Sequence, residues 1–184
     1  MMFGKKKKAY RELVKAHGEI ALALVRANPS QYIPTLGSYL KNDTFFGILN
    51  RWHQRGDASH SSCVFIDKNT CQEVVEVHAL EGWGVIVTVP GFLGKKGAVL
   101  ELRGVFDGPT TEEVLLKIDK VLGAKYQKPF GFITKTRKDD PLLWFCSELQ
   151  NHFFQLQRCD NLFVSPVWAR RSPLAEIVIK RIYC

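Results

Sequence analysis

Ser59-His60-Ser61-Ser62-Cys63-Val64-Phe65-Ile66, then Asp67-Lys68-Asn69, then Glu73-Val74-Val75-Glu76-Val77-His78-Ala79, reads as two β-strands joined by a polar turn. Asn69 tolerates the left-handed backbone that a tight loop requires. The register of this hairpin decides which side chains share a face. A loop running from Asp67 to Asn69 sets Ile66 opposite Thr70 and His60 opposite Glu76. Directly opposed side chains have Cβ atoms about 4.5–5.5 Å apart, so the carboxylate then holds the imidazole. A loop one residue longer sets His60 opposite Val77 and turns Glu76 to the other face. The sequence leaves both registers open.

Beyond the hairpin, Gly82-Trp83-Gly84 is a turn and Val85 to Val89 a third strand. Pro90 to Gly97 is a loop, and Ala98 to Arg103 a fourth strand. Pro109 to Leu122 is a helix. Thr110 or Thr111 caps it, Glu112 and Glu113 occupy the first turn, and Gly123 closes it. Phe130 to Ile133 reads as a short extended piece. Leu142, Leu149, Phe153 and Leu156 recur on one helical face, and Asp139-Asp140-Pro141 suits the entrance of that helix. It runs to about Gln157 and carries Cys146 in its first turn or so. Asn161 to Trp168 and a strand from Leu174 to Tyr183 finish the chain.

Before the hairpin, Lys6 to Ala27 reads as an amphipathic, basic helix ended by Asn28-Pro29. Tyr10, Leu13, Val14, Ala21, Leu24 and Val25 fall on its apolar side, which is expected to pack on its own domain. Such a helix also has the makings of a membrane-surface element. Pro29 to Gly56 is punctuated by Pro34, Gly37 and Gly47 and reads as irregular, with a short helix at Thr44 to His53.

The length of 184 residues suits one domain, residues 1–184, with a basic helix at 1–28 and a core at 56–158. The net charge is +8, and Lys5 to Lys8 supply a run that draws a chain toward anionic surfaces. No nucleic-acid-binding motif accompanies that charge, so no specific nucleic-acid partner is expected. Cys63, Cys71, Cys146, Cys159 and Cys184 are odd in number and irregular in spacing. That argues against a disulfide framework or a zinc ribbon and for a reducing compartment. No secretion signal is recognised, and Ile20 to Val25, the longest apolar run near the start, is far too short to span a bilayer. A cytoplasmic location is the expectation.

Thiol catalysis needs a cysteine whose thiolate is favoured, an imidazole to carry the proton and a group that fixes the imidazole. Cys146 at a helix start, His60 at a loop-to-strand junction and Glu76 on the next strand supply those residue types. Free backbone N–H groups and the positive helix end favour a thiolate at Cys146. Cys63 competes, but in mid-strand it lacks the helix end; Glu73 and Glu81 compete with Glu76. Against all this stands the ordinary role of a cysteine or histidine as a packing residue.

Ser59-His60 before an apolar strand, Val75-Glu76 in the next, Gly84-Val85, Gly123-Ala124-Lys125-Tyr126 and then Phe145-Cys146-Ser147-Glu148-Leu149 together resemble the permuted papain-like cysteine hydrolases, the NlpC-type, YiiX-like enzymes. The likeness covers roughly Gly56 to Arg158. It implies an α+β fold in which an antiparallel, partly barrel-like sheet packs against helices, in the circularly permuted papain-like order. It implies Cys146 as nucleophile, His60 as base, Glu76 as the orienting acid, and Tyr126 as a substrate-side tyrosine close to the nucleophile. The implied activity is a cysteine peptidase or amidase, with no metal or organic cofactor, acting on peptides or cell-wall peptides. A lipid acyl substrate, or a non-catalytic module that kept the fold, is the alternative. Two departures stand out: the strand usually opening with Gly-Asp upstream of the histidine is not recognisable, and Gln127 follows Tyr126 where an acidic residue is common.

Overall fold

The computed structural model describes residues 2–40, 58–94, 98–126, 143–144, 146–156 and 174–182. Helix α1 (Met2–Ala27) leads through a short 3-10 turn, Pro29–Gln31, into strand β1 (Tyr32–Leu40). Strands β2 (Ala58–Asp67), β3 (Glu73–Leu80), β4 (Gly84–Thr88) and β5 (Val99–Val105) follow, then helix α2 (Thr111–Val121). The short strands β6 (Lys125–Tyr126) and β7 (Leu143–Trp144) precede helix α3 (Cys146–Phe154), and β8 (Ala175–Ile182) closes the sheet. The segments expected at Thr44 to His53, Phe130 to Ile133, Asp139 to Pro141 and Asn161 to Trp168 lie outside the described residues.

The main sheet runs β4-β3-β2-β1-β5-β8, and every pairing in it is antiparallel. β6 and β7 form a separate parallel pair. The α+β class and the antiparallel sheet against helices are therefore as expected. The sheet is open but strongly curled. Arg181 on β8 forms an ion pair with Glu73 on β3. With three strands between them they would stand roughly 19 Å apart in a flat sheet. Curling gives the sheet a concave inner face and a convex face that carries the helices.

Helix α2 shows why its sequence folds as it does. Thr110 accepts from the Glu113 N–H at 3.2 Å, and the Glu113 carboxylate accepts from the Thr110 N–H at 2.9 Å. This capping box satisfies two backbone donors at the helix start. Val114, Leu115, Ile118 and Val121 then face the sheet. They share one core with Leu22 and Val25 of α1, Leu149 and Phe153 of α3, and the alternate side chains Cys63, Phe65, Val75 and Val77 of β2 and β3. The inner face holds a second cluster of Tyr39, Val64, Ile66, Leu100 and Leu102.

Two expectations are corrected. Tyr32 to Leu40 is a strand inside the sheet, not irregular chain. Pro34 pairs with Phe65 on one side, while β5 pairs only with Leu36 to Leu40, so the missing proline N–H falls where β1 has a single neighbour. The apolar side of α1 is also divided. Val14, Leu22 and Val25 are buried, whereas Tyr10, Leu13 and Leu24 are exposed. Gly18 sets this rotation: a Cβ there would stand 2.5 Å from the Val87 backbone, so only glycine lets α1 lie this close on β4.

Among the described residues, no helix is long and apolar enough to cross a membrane.

Candidate functional site

The hairpin of β2 and β3 builds the site. Its loop is longer than either expected form. The Asp67 carboxylate accepts from the N–H groups of Asn69 and Thr70 at 2.7 and 3.2 Å, and Cys71 takes a left-handed φ of 55°. Ile66 therefore faces Glu73 instead of Thr70, a bulge follows, and Val64 faces Glu76. Relative to the register set by an Asp67-to-Asn69 loop, the shift in the body of the hairpin is an even number of residues. Because side chains alternate with period two, His60 and Glu76 still share a face. They do not touch as expected: His78 stands between them.

On the inner face, a connected set of polar side chains surrounds the buried Glu76 carboxylate. Tyr39 donates its hydroxyl to both Glu76 oxygens, at 2.9 and 2.8 Å. Ser62 donates to Oε1 at 2.9 Å, and the Gly91 N–H donates to Oε2 at 3.0 Å. His78 Nε2 lies 3.6 Å from Oε2 and 2.9 Å from the Thr88 hydroxyl. His78 Nδ1 lies 3.1 Å from His60 Nε2, and the two rings stack at 5.3 Å. Glu76 and His78 are fully buried, while His60, two residues from the start of β2, is only part-buried.

Burial governs the protonation of this set. It pushes the Glu76 carboxyl up to about 7, against the lowering effect of Tyr39, Ser62, Gly91 and Arg181. Burial brings His78 down to about 3. It also holds His60 well below the usual imidazole range, helped by the neighbouring His78. Both imidazoles are thus neutral near pH 7, and their tautomers are linked. An ionised Glu76 favours the His78 proton on Nε2. His78 Nδ1 then accepts from His60 Nε2–H, and the lone pair of His60 falls on Nδ1. The arrangement transmits the charge state of a buried carboxyl to a part-buried imidazole.

Cys146 begins α3, whose stripe of Cys146, Leu149, Gln150 and Phe153 is buried. Leu149 and Phe153 belong to the cluster on the helix-bearing face. Cys146 is therefore carried on the face opposite to His60 and Glu76. It lies at the His60 end of the sheet: the β2–β3 register, continued from Cys63–Val77, sets His60 level with Leu80, where β3 turns into β4, and Cys146 follows β7, whose partner β6 lies beside the start of β4. Tyr126 belongs to the same end, since the neighbouring Ala124 accepts from the Val85 N–H at 2.7 Å. Burial pushes the Tyr126 hydroxyl up, and the nearby Cys146 and Glu81 add to it. Cys63, the rival thiol, is buried in mid-strand. Burial and then the Glu76 charge push its pKa up, which keeps it protonated.

His78, Tyr39, Ser62 and Thr88 are the members of this set that the sequence did not single out. Glu76 and His78, two apart on one strand, were the available signal: both must share a face. Among the described residues, no group of three or more His, Cys, Asp or Glu side chains is arranged to hold a metal ion. Comparison of the chain with family models, curated proteins and solved structures finds no match.

Proposed function

We propose that the protein is a cysteine-dependent acyl hydrolase, with Cys146 as nucleophile and His60 as base, cleaving amide bonds of peptides or cell-wall peptides or the ester bonds of lipid acyl groups. The observation that carries this reading is the row Glu76–His78–His60, in which His78 Nε2 stands 3.6 Å from the Glu76 carboxylate and His78 Nδ1 is hydrogen-bonded to His60, so that the row ends on a neutral, part-buried imidazole. That imidazole lies at the end of the sheet where Cys146 begins its helix. In the proposed cycle, His60 Nδ1 takes the thiol proton and the sulfur bonds to the acyl carbon. Backbone N–H groups at the start of α3 receive the oxyanion. The imidazolium then protonates the departing amine or alcohol as its bond to the acyl carbon breaks, and water releases the acyl group from sulfur. His78 and Glu76 stabilise the imidazolium. Because His60 and Cys146 are carried on different faces, turnover requires thiol and ring to meet past the start of β2.

The test is hydrolysis of small amide, ester and thioester substrates by the wild type, Cys146→Ser and His60→Ala. The proposal expects both variants to lose turnover while keeping the fold, with a double variant no worse than either single one, because the residues act as a unit. Turnover that survives in Cys146→Ser removes Cys146 from the reaction.

A second reading rests on the saturation of Glu76 by three donors. On that reading the network is a buried structural node and the chain a non-catalytic module of the same fold. An acylating thiol probe separates the two. The enzyme reading expects Cys146 to be labelled fastest of the five cysteines, and the module reading expects no preference.

A further inference from the structure

Helix α1 presents two apolar stripes, and the domain uses one. Val14, Gly18, Leu22 and Val25 face the sheet. Tyr10, Leu13, Ile20 and Leu24 are 58%, 53%, 63% and 54% exposed. With His17 they recur at alternating spacings of three and four, a single seam at about 3.6 residues per turn. The same period places Glu12, Lys15, Glu19 and Arg26 on the far flank of the helix. Ala9, Ala16, Ala23 and Ala27 border the seam instead, so no charge interrupts it from Ala9 to Ala27.

The amino-terminal end of the seam carries a second, independent feature. Tyr10 packs on Phe92 with ring centroids 6.3 Å apart, and Phe92 on Trp83 at 5.4 Å. The Arg11 guanidinium lies over the Trp83 ring at 4.6 Å. Phe92 and Trp83 come from the loop after β4 and the β3–β4 turn, so three separate segments converge here. Lys5 to Lys8 occupy the helical turns just before this cluster. Aromatic rings with a cationic neighbour, beside a lysine run and a charge-free apolar seam, are the side chains that settle at a bilayer's headgroup level.

We infer that the outer face of α1, with the Tyr10–Phe92–Trp83 cluster, binds the surface of an anionic phospholipid bilayer. The charge of the chain selects this occupant. A second copy carries the same +8, and pairing two seams in parallel would bring two runs of Lys5 to Lys8 together. An anionic bilayer instead complements the lysines and accepts the apolar seam. Each lysine near such a surface contributes about fivefold in affinity, lost as salt screens it. The inference does not depend on the catalytic reading, and Cys146→Ser should bind as the wild type does.

The experiment is sedimentation of the full chain with vesicles of phosphatidylcholine, with and without phosphatidylserine, over a range of sodium chloride. Binding to the phosphatidylserine vesicles is expected, at least about tenfold weaker on phosphatidylcholine alone and falling as salt rises. A chain carrying Leu13→Gln, Ile20→Gln and Leu24→Gln should lose binding with an unchanged thermal transition, since all three side chains are exposed. A chain with Lys5 to Lys8 replaced by glutamine should lose the preference for phosphatidylserine. Failure of the folded wild type to sediment with phosphatidylserine vesicles overturns the inference, as does equal binding by the seam variant. A lipid-free dimer that the seam variant converts to monomer assigns the face to a second copy and overturns it too.

Discussion

Lowering the pH should affect stability through Glu76 and His78 in opposite directions. The folded pKa of Glu76, about 7, lies above its ordinary value of 4.5. Between those values the folded chain holds a proton that the unfolded chain has released. Its contribution is complete below 4.5 and is lost as pH rises through 7. His78 behaves in the reverse sense, because its folded pKa of about 3 lies below 6.5. Its contribution is complete above 6.5 and is lost as pH falls toward 3. Each group supplies about 1.4 kcal/mol per pH unit within its window. Going from pH 7 to 4.5, Glu76 therefore adds roughly 3 kcal/mol and His78 removes roughly 3 kcal/mol. The wild type should feel little of either, apart from His60, which acts in the same sense as His78. Glu76→Gln removes the gain and should lose roughly 3 kcal/mol more than the wild type on acidification. His78→Gln removes the loss and should lose roughly 3 kcal/mol less. Urea unfolding of the three proteins at pH 7 and 4.5 reads these differences directly. If both variants change with pH as the wild type does, within about 0.5 kcal/mol, the network is not ionised as described.

Other substitutions probe its surroundings. Tyr39→Phe deletes a hydroxyl that bonds both Glu76 oxygens and should cost about 1–3 kcal/mol in urea unfolding, more at pH 8 than at pH 5, where the carboxyl is protonated. Gly18→Ala drives a Cβ into the Val87 backbone and should cost about 1–3 kcal/mol in the same assay, by lifting α1 from β4. Thr110→Ala breaks the capping box of α2 and should lower stability by about 1 kcal/mol, with loss of amide-exchange protection confined to the first turn of α2.

The elements that sequence made legible are those in which one local signal dominates. Thr110 and Glu113 announce the start of α2, and the alternating β2 and β3 announce a hairpin. Register was harder, since it depended on Asp67 capping Asn69 and Thr70 and on a left-handed Cys71. His60 and Glu76 still shared a face because alternation survives an even shift. β1 was hidden because Pro34 and Gly37 are strand-breaking signals, and only the one-sided pairing at Pro34 makes them tolerable. The division of α1 into buried and exposed stripes depends on Gly18 meeting Val87, a tertiary contact that helical periodicity does not encode. His78 was missed for a related reason: mid-strand, its role comes from Thr88 and His60 on the neighbouring strands. The face on which α3 packs is likewise a tertiary choice, which is why the sequence set Cys146 beside His60 and the fold carries them on different faces.

The proposal that His60 serves Cys146 is tested most directly by the rate of Cys146 alkylation as a function of pH, resolved from the other cysteines by peptide mass spectrometry, in the wild type and in His60→Ala. An imidazole that accepts the thiol proton keeps Cys146 reactive well below the ordinary thiol pKa of about 8.5, and removing that imidazole takes the effect away. The expected result is two separated curves, with His60→Ala displaced upward by at least about one pH unit. Coincident curves, with Cys146 reacting only near or above its ordinary pKa in both proteins, would contradict the pairing of Cys146 with His60 and the hydrolase reading built on it.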